Sequence, residues 1–123
     1  MLKVYTYSNC DTCRRAMKWL RDQEVEVEER PIRETPPTRG ELKAMLTAQG
    51  GEMRKLFNTS GRDYREQGIG EKLPDLSESE AFNLLRGNGN LVKRPFVVGD
   101  GVGLVGFDPA TWAERLPAIR KQK

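Results

Sequence analysis

The chain has 123 residues, 21 Lys and Arg against 18 Asp and Glu for a net charge of +3, and a mean hydropathy of −0.69. This length suits one domain with a core of its own and no need of disulfide staples, and no stretch approaches the roughly 20 apolar residues that span a bilayer. There is no histidine, which removes Ser-His-Asp and Cys-His nucleophile activation and the commonest catalytic zinc ligands.

Charges of both signs are interspersed, and the one basic cluster, "IRKQK" at 119–123, is short. Direct nucleic-acid binding is therefore not expected, because a surface that tracks phosphates needs a denser basic stripe. The N-terminal "MLKVYTYSNC" has neither an apolar signal region nor a cleavage pattern. A cytoplasmic location is expected, where cysteines stay reduced unless their chemistry is special.

"LKVYTY", Leu2 to Tyr7, is rich in β-formers and predicts a strand. Ser8 and Asn9 supply cap-type side chains. Cys13, Ala16, Met17 and Leu20 then recur at helical spacing, with Arg14, Arg15, Lys18 and Arg21 outward. "VEVEERPI", with Val25 and Val27 alternating against glutamates, predicts a second strand. A strand, helix and strand joined by a long crossover make a parallel, right-handed βαβ unit.

Two adjacent prolines in "RETPPTRGE" break the pattern, and Thr38 with Glu41 forms a capping box before a helix carrying Leu42, Met45 and Leu46. Gly50–Gly51 ends it. Residues 53–76 predict a helical turn, a polar turn at Asn58–Gly61, a short helix and then a loop. Ser77 and Glu80 form a second capping box ahead of Ala81, Leu84 and Leu85. "GNGN" closes this helical insert, which covers about 38–87 of the single 1–123 domain. Phe96 to Val98 and Gly103 to Phe107 predict a hairpin around a turn at Gly99–Asp100–Gly101. Asp108 caps a last helix with Pro109 at its first position, lined by Trp112, Leu116 and Ile119. The order β-α-β, helical insert, β-β-α is the thioredoxin-like arrangement: an α/β fold with a mixed sheet and an inserted helical lobe.

Cys10-x-x-Cys13 is the first motif with chemistry. A closed zinc site needs four ligands, and the chain offers no third Cys and no His. A buried structural pair is the bland alternative. The position between a strand and a helix of a βαβ unit favours a redox pair. The helix dipole and first-turn N–H groups there stabilise a thiolate. Cys10, at the helix start, is the expected nucleophile, and Cys13, on the apolar stripe, the resolving thiol. Lys93-Arg94-Pro95 is either an ordinary strand start or a cis Arg94–Pro95 bond that brings Arg94 beside the thiols, where a cation would favour thiolate or bind an oxyanion. "FNTSGRDYRE", Phe57 to Glu66, is a capping turn or a substrate-facing loop. "GVGLVG", 101–106, matches a dinucleotide fingerprint literally, but no second strand follows, so a glycine-rich hairpin is expected.

"YSNCDTCRRAMKWL", "KLFNTSGRDYREQGI" and "VKRPFVV" followed by "GF" resemble the arsenate reductase/Spx family of thioredoxin-fold proteins, closest to small members of its Spx/MgsR-type branch. The resemblance implies that Cys10 is the nucleophile, that Arg94 belongs to an oxyanion site, and that Pro95 is cis. Asn9, Asn58 and Pro95 are the substrate-binding residues it suggests. Asn58 stands where arsenate reductases carry an arginine, and Phe107 near where they carry another, which argues against arsenate as substrate. The second cysteine, Cys13, is instead a feature of the Spx-type regulators. The expectation is a thiol–disulfide oxidoreductase without metal or tightly bound cofactor, with glutathione as co-substrate and a glutaredoxin- or thioredoxin-type reductant. The alternative is a redox-sensing regulator that binds the RNA polymerase α subunit.

Overall fold

The computed structural model describes residues 2–116. Four strands, β1 (Leu2–Thr6), β2 (Val27–Pro31), β3 (Phe96–Gly99) and β4 (Val102–Val105), form one mixed sheet in the order β2-β1-β3-β4. β1 and β2 are parallel, with Leu2 opposite Val27 and Thr6 opposite Pro31. β1 and β3, and β3 and β4, are antiparallel. The expected α/β arrangement with a mixed sheet is therefore present. Central β1 is buried on both faces, which is why Leu2, Val4 and Tyr5 are all core residues.

Helix α1 (Asp11–Asp22) and α6 (Pro109–Arg115) cover one face of the sheet, where Ala16, Leu20 and Trp112 pack with Leu2, Val4, Val97 and Leu104. Helices α2 (Arg39–Ala48), α3 (Arg62–Glu66), α4 (Ile69–Lys72) and α5 (Glu78–Gly87) belong to the other layer. There Leu42, Met45, Ile69 and Leu85 join Tyr5, Phe96 and Val98. Leu84, expected on the inner stripe of α5, is only partly buried, and Phe82 takes a buried place beside Ala81 and Leu85. Ile119 and the basic cluster at 119–123 lie outside the described residues.

Local signals explain most boundaries. Thr38–Glu41 and Ser77–Glu80 both form complete capping boxes. The Asp108 side chain accepts from the Ala110 N–H at 3.2 Å, with Pro109 at the first helical position. Asp100 (φ 52°) and Gly101 (φ 79°) make the two-residue hairpin turn. Both need positive φ, as a type I′ turn does. "GVGLVG" thus builds β4, not a phosphate loop.

Four further expectations need correction. The returning hairpin strand, expected over Gly103 to Phe107, is Val102–Val105, so Phe107 lies beyond it. Ser8 and Asn9 do not cap α1; Cys10 is the N-cap. The second strand begins at Val27, and Val25 is a buried residue ahead of it. The loop expected after α3 contains α4 and a 3-10 turn at Leu73–Asp75, held down by the single buried apolar residue Ile69.

Glu41 joins the two layers. Its carboxylate accepts from the Tyr5 hydroxyl at 2.6 Å and from the Thr38 N–H at 2.9 Å, and pairs with Lys3 at 3.2 Å. Burial opposes its ionisation, but these partners outweigh burial and hold the carboxyl below the usual carboxylate range. A depressed folded-state value means that the stability it supplies is present above the unfolded carboxylate range and is lost as pH falls through the folded one. Glu41→Ala should cost about 1–3 kcal/mol, because it removes a cap and strands a buried phenol. Urea unfolding measures this, and Glu41→Gln should give a shallower acid limb in the stability–pH profile.

Candidate active site

The turn after β1 carries the two cysteines. The Cys10 N–H donates to the Tyr7 carbonyl at 3.1 Å, and the chain then enters α1. Cys10 has extended backbone, and its own sulfur does what a serine or aspartate oxygen usually does: Sγ accepts the Cys13 N–H at 3.2 Å. A sulfur so placed at a helix N-terminus faces the positive end of the dipole. Both cysteines are free thiols, Cys10 half-buried and Cys13 buried. Burial, then the hydrogen bond with Cys10, pushes the Cys13 thiol up to about 12, so it is protonated at neutral pH. The two sulfurs therefore differ in access, and burial holds the proton on Cys13.

Arg94 precedes a cis Arg94–Pro95 bond, as expected, and Pro95 is buried. Its guanidinium lies 5.0 Å from the Tyr7 ring centroid and close enough to Cys13 to favour the thiolate there. Arg94 Nη1 is buried without a hydrogen-bond partner. Arg33 reaches the same ring, also 5.0 Å from its centroid, and donates to the Tyr7 hydroxyl oxygen at 2.9 Å. That bond leaves the tyrosine's own O–H proton free to donate.

Beyond Tyr7 opens a cleft of about 240 Å³, lined by Arg33, Arg62 and Arg94 with Asn58, Asp63 and Asn90. Backbone pairing assembles it. The Asn58 N–H donates to the Leu91 carbonyl at 2.7 Å, and the Lys93 N–H to the Leu56 carbonyl at 2.9 Å. Gly89 seats the 88–91 turn on the end of β2: a Cβ there would lie 2.2 Å from the Ile32 carbonyl oxygen. Asp63 Oδ2 accepts from the side-chain amides of Asn88 at 2.9 Å and Asn90 at 3.3 Å, which hold its carboxyl below the usual range. A second cleft of about 260 Å³, on the other side of Tyr7, reaches Cys13, Arg14 and Glu29.

Cys10 and Cys13 are thus in contact, Arg94 lies close enough to act on Cys13, Pro95 follows it in the cis bond, and Asn58 shares a cleft with Arg94. Asn9 is exposed in the turn before Cys10 and does not line the cleft. Phe107 packs on Trp112 and Trp19, with ring centroids 4.9 and 6.2 Å away. Arg62 and Asp63 belong to the Phe57–Glu66 segment read as a capping turn or a substrate-facing loop, while Tyr7 and Arg33 escaped the sequence reading as site residues. The usable signal was topological: Tyr7 and Arg33 directly follow two parallel strands, and ligands gather at the C-terminal ends of such strands. Among the described residues, no cluster of three or more Cys, Asp or Glu side chains could hold a metal.

The sequence matches the ArsC family over residues 5–115. The chain belongs to that family. Its ArsC-family relatives include YusI of Bacillus subtilis, an uncharacterized protein 44% identical over 86% of this chain and 90% of its own. The global transcriptional regulator Spx of Enterococcus faecalis is 30% identical over 99% of this chain and 91% of its own. The structure of an arsenate reductase from Vibrio cholerae superposes with a TM-score of 0.80 at 26% identity, covering 94% of this chain and 97% of that one. The ArsC-family fold is common ground for these comparisons, and in this chain Cys10 and Cys13 fit a Cys-x-x-Cys pair.

The asymmetry of the thiols is directly measurable. Iodoacetamide near neutral pH should label Cys10 roughly tenfold or more faster than Cys13, because only the thiolate reacts and access favours Cys10. Peptide mass spectrometry after timed quenching reads the two rates. Gly89→Ala should cost about 1–3 kcal/mol through backbone overpacking, seen as a lower urea midpoint.

Proposed function

We propose that this protein is a cytoplasmic thiol–disulfide oxidoreductase acting on mixed disulfides of low-molecular-weight thiols, with glutathione as co-substrate. The observation that carries this reading is the Cys13 N–H directed at Cys10 Sγ while Cys13 itself is buried and protonated. Cys10 thiolate attacks one sulfur of a mixed disulfide. The substrate's S–S bond breaks, its second sulfur leaves as thiolate and takes a proton from solvent, and Cys10 is joined to the retained sulfur. Cys10 no longer carries charge at that stage, so its hydrogen bond and Coulombic contribution cease to hold the Cys13 proton. Cys13 then loses that proton to solvent and its thiolate attacks Cys10. The retained thiol departs, and a Cys10–Cys13 disulfide remains. Two electrons have passed from the cysteine pair to the substrate, and a glutaredoxin- or thioredoxin-type dithiol, or two glutathione molecules, returns them.

Arg94 serves this scheme by stabilising negative charge on the exchanging sulfurs. Arsenate is disfavoured as substrate. Asn58 offers the cleft a neutral amide, and Phe107 is committed to the aromatic cluster with Trp19 and Trp112. The similarity to Spx over nearly the whole chain supports a second reading, in which the same disulfide is a switch for a protein partner such as the RNA polymerase α subunit.

Turnover assays with arsenate and with a glutathione mixed disulfide, on wild type, Cys10→Ser and Cys13→Ser, test the proposal. Wild type should reduce the mixed disulfide and not arsenate. Cys10→Ser should be inactive, and Cys13→Ser should accumulate a Cys10 mixed disulfide visible by intact mass. Activity surviving in Cys10→Ser, or arsenate reduced faster than the disulfide, would overturn it. Capture of the α subunit by one redox form alone, without turnover, would favour the switch.

A further inference from the structure

The cleft beyond Tyr7 is charged in a way that exchange at sulfur does not require. It holds three guanidinium groups and one carboxylate. The Arg62 guanidinium makes no hydrogen bond among the described residues and acts on Asp63 only through its charge, and Arg33 uses one N–H on the Tyr7 hydroxyl, which leaves its remaining donors open. Asp63 is different. Both amides that bind it, from Asn88 and Asn90, go to Oδ2, and Oδ1 remains an open acceptor at the cleft. A lone anion site would not retain a carboxylate fixed in its wall, because like charge in a partly desolvated cleft weakens binding. A ligand with both signs uses all of these groups at once.

We propose that this cleft recognises the α-amino-carboxylate head group of a thiol-bearing ligand. Arg33 and Arg62 bind the carboxylate, and Tyr7 donates its hydroxyl to it. Asp63 Oδ1 accepts from the ammonium. Arg94 lines the same cleft and lies close enough to Cys13 to act on its thiol. The assignment takes from the preceding reading that the ligand's sulfur is delivered to Cys10. Two sources share this chemistry: cysteine itself, and the γ-glutamyl end of glutathione.

Binding by unreactive thioethers separates the head group from the sulfur chemistry. The full chain with Cys10→Ser is titrated calorimetrically with S-methylcysteine and S-methylglutathione. The comparison ligands are 3-(methylthio)propionate, which keeps only the carboxylate, and 2-(methylthio)ethylamine, which keeps only the ammonium. At least one amino-carboxylate ligand should bind about tenfold more tightly than both single-charge ligands. Which of the two does so identifies the source. Asp63→Asn and Arg62→Gln, each made in the same background, should reduce that preference to about threefold or less. Arg62 is exposed and carries no structural bond, so its variant keeps the test valid even if Asp63→Asn loosens the 88–91 turn. Equal binding of all four ligands, or a preference unchanged in Arg62→Gln, would overturn the assignment. Wild-type exchange with neutral hydroxyethyl disulfide is measured alongside. Fast exchange without head-group preference overturns this inference and leaves the oxidoreductase reading intact. Preference with no exchange toward either this disulfide or a glutathione mixed disulfide keeps the head-group assignment and overturns the oxidoreductase reading.

Discussion

Because β1 and β2 run parallel, with Thr6 level with Pro31, both strands deliver their C-terminal ends to the same edge of the molecule. Everything chemical follows from that shared edge. The chain leaving β1 turns into α1 and puts Cys10 at its N-cap, with Tyr7 in the turn. The chain leaving β2 is held level by the Ile32 N–H donating to the Thr6 carbonyl at 2.8 Å, and the next residue is Arg33. An antiparallel pairing would have sent Arg33 to the far end of the sheet, away from the tyrosine that it bonds.

The third side of the site comes from a long-range return. β3 enters the sheet beside β1 and places Arg94 and Pro95 immediately ahead of Phe96, itself opposite Tyr5. The helices between β2 and β3 pack on this frame through an apolar core, and Glu41 adds polar ties to Tyr5 and Lys3 of β1. The thiol pair rides on the helix packed against one face of the sheet, while Asn58 and Asp63 come from elements packed against the other. Tyr7 is where the two layers meet, since it lines both the arginine cleft and the cleft that reaches Cys13.

What was legible in the sequence was local. The capping boxes at Thr38–Glu41 and Ser77–Glu80, the Asp108–Pro109 start and the Asp100–Gly101 turn each need only a few adjacent residues, and each is present. The Cys-x-x-Cys pair was legible for the same reason. The cap of α1 was misassigned because Ser8 and Asn9 have the usual capping side chains, whereas the acceptor is a thiol one or two positions later. Helix α4 was missed because "GIGEK" offers one apolar residue and no period; Ile69 is helical because a tertiary pocket receives it. The cleft was invisible because its walls come from four separated segments, and no spacing rule connects Arg33 to Arg62 or Asp63 to Asn88.

The approach of the 88–91 turn to the end of β2 has a thermodynamic consequence. With no side chain at Gly89, main chain rests directly on main chain at Ile32 and Arg33, and no rotamer intervenes between the two walls. Asp63 is fixed in turn by two amides of that same turn. Asp63 and the two amides that hold it are thus ordered before any ligand arrives. Contacts made to Asp63 therefore sacrifice little conformational entropy on the protein's side, whereas the exposed Arg62 side chain must be ordered on binding.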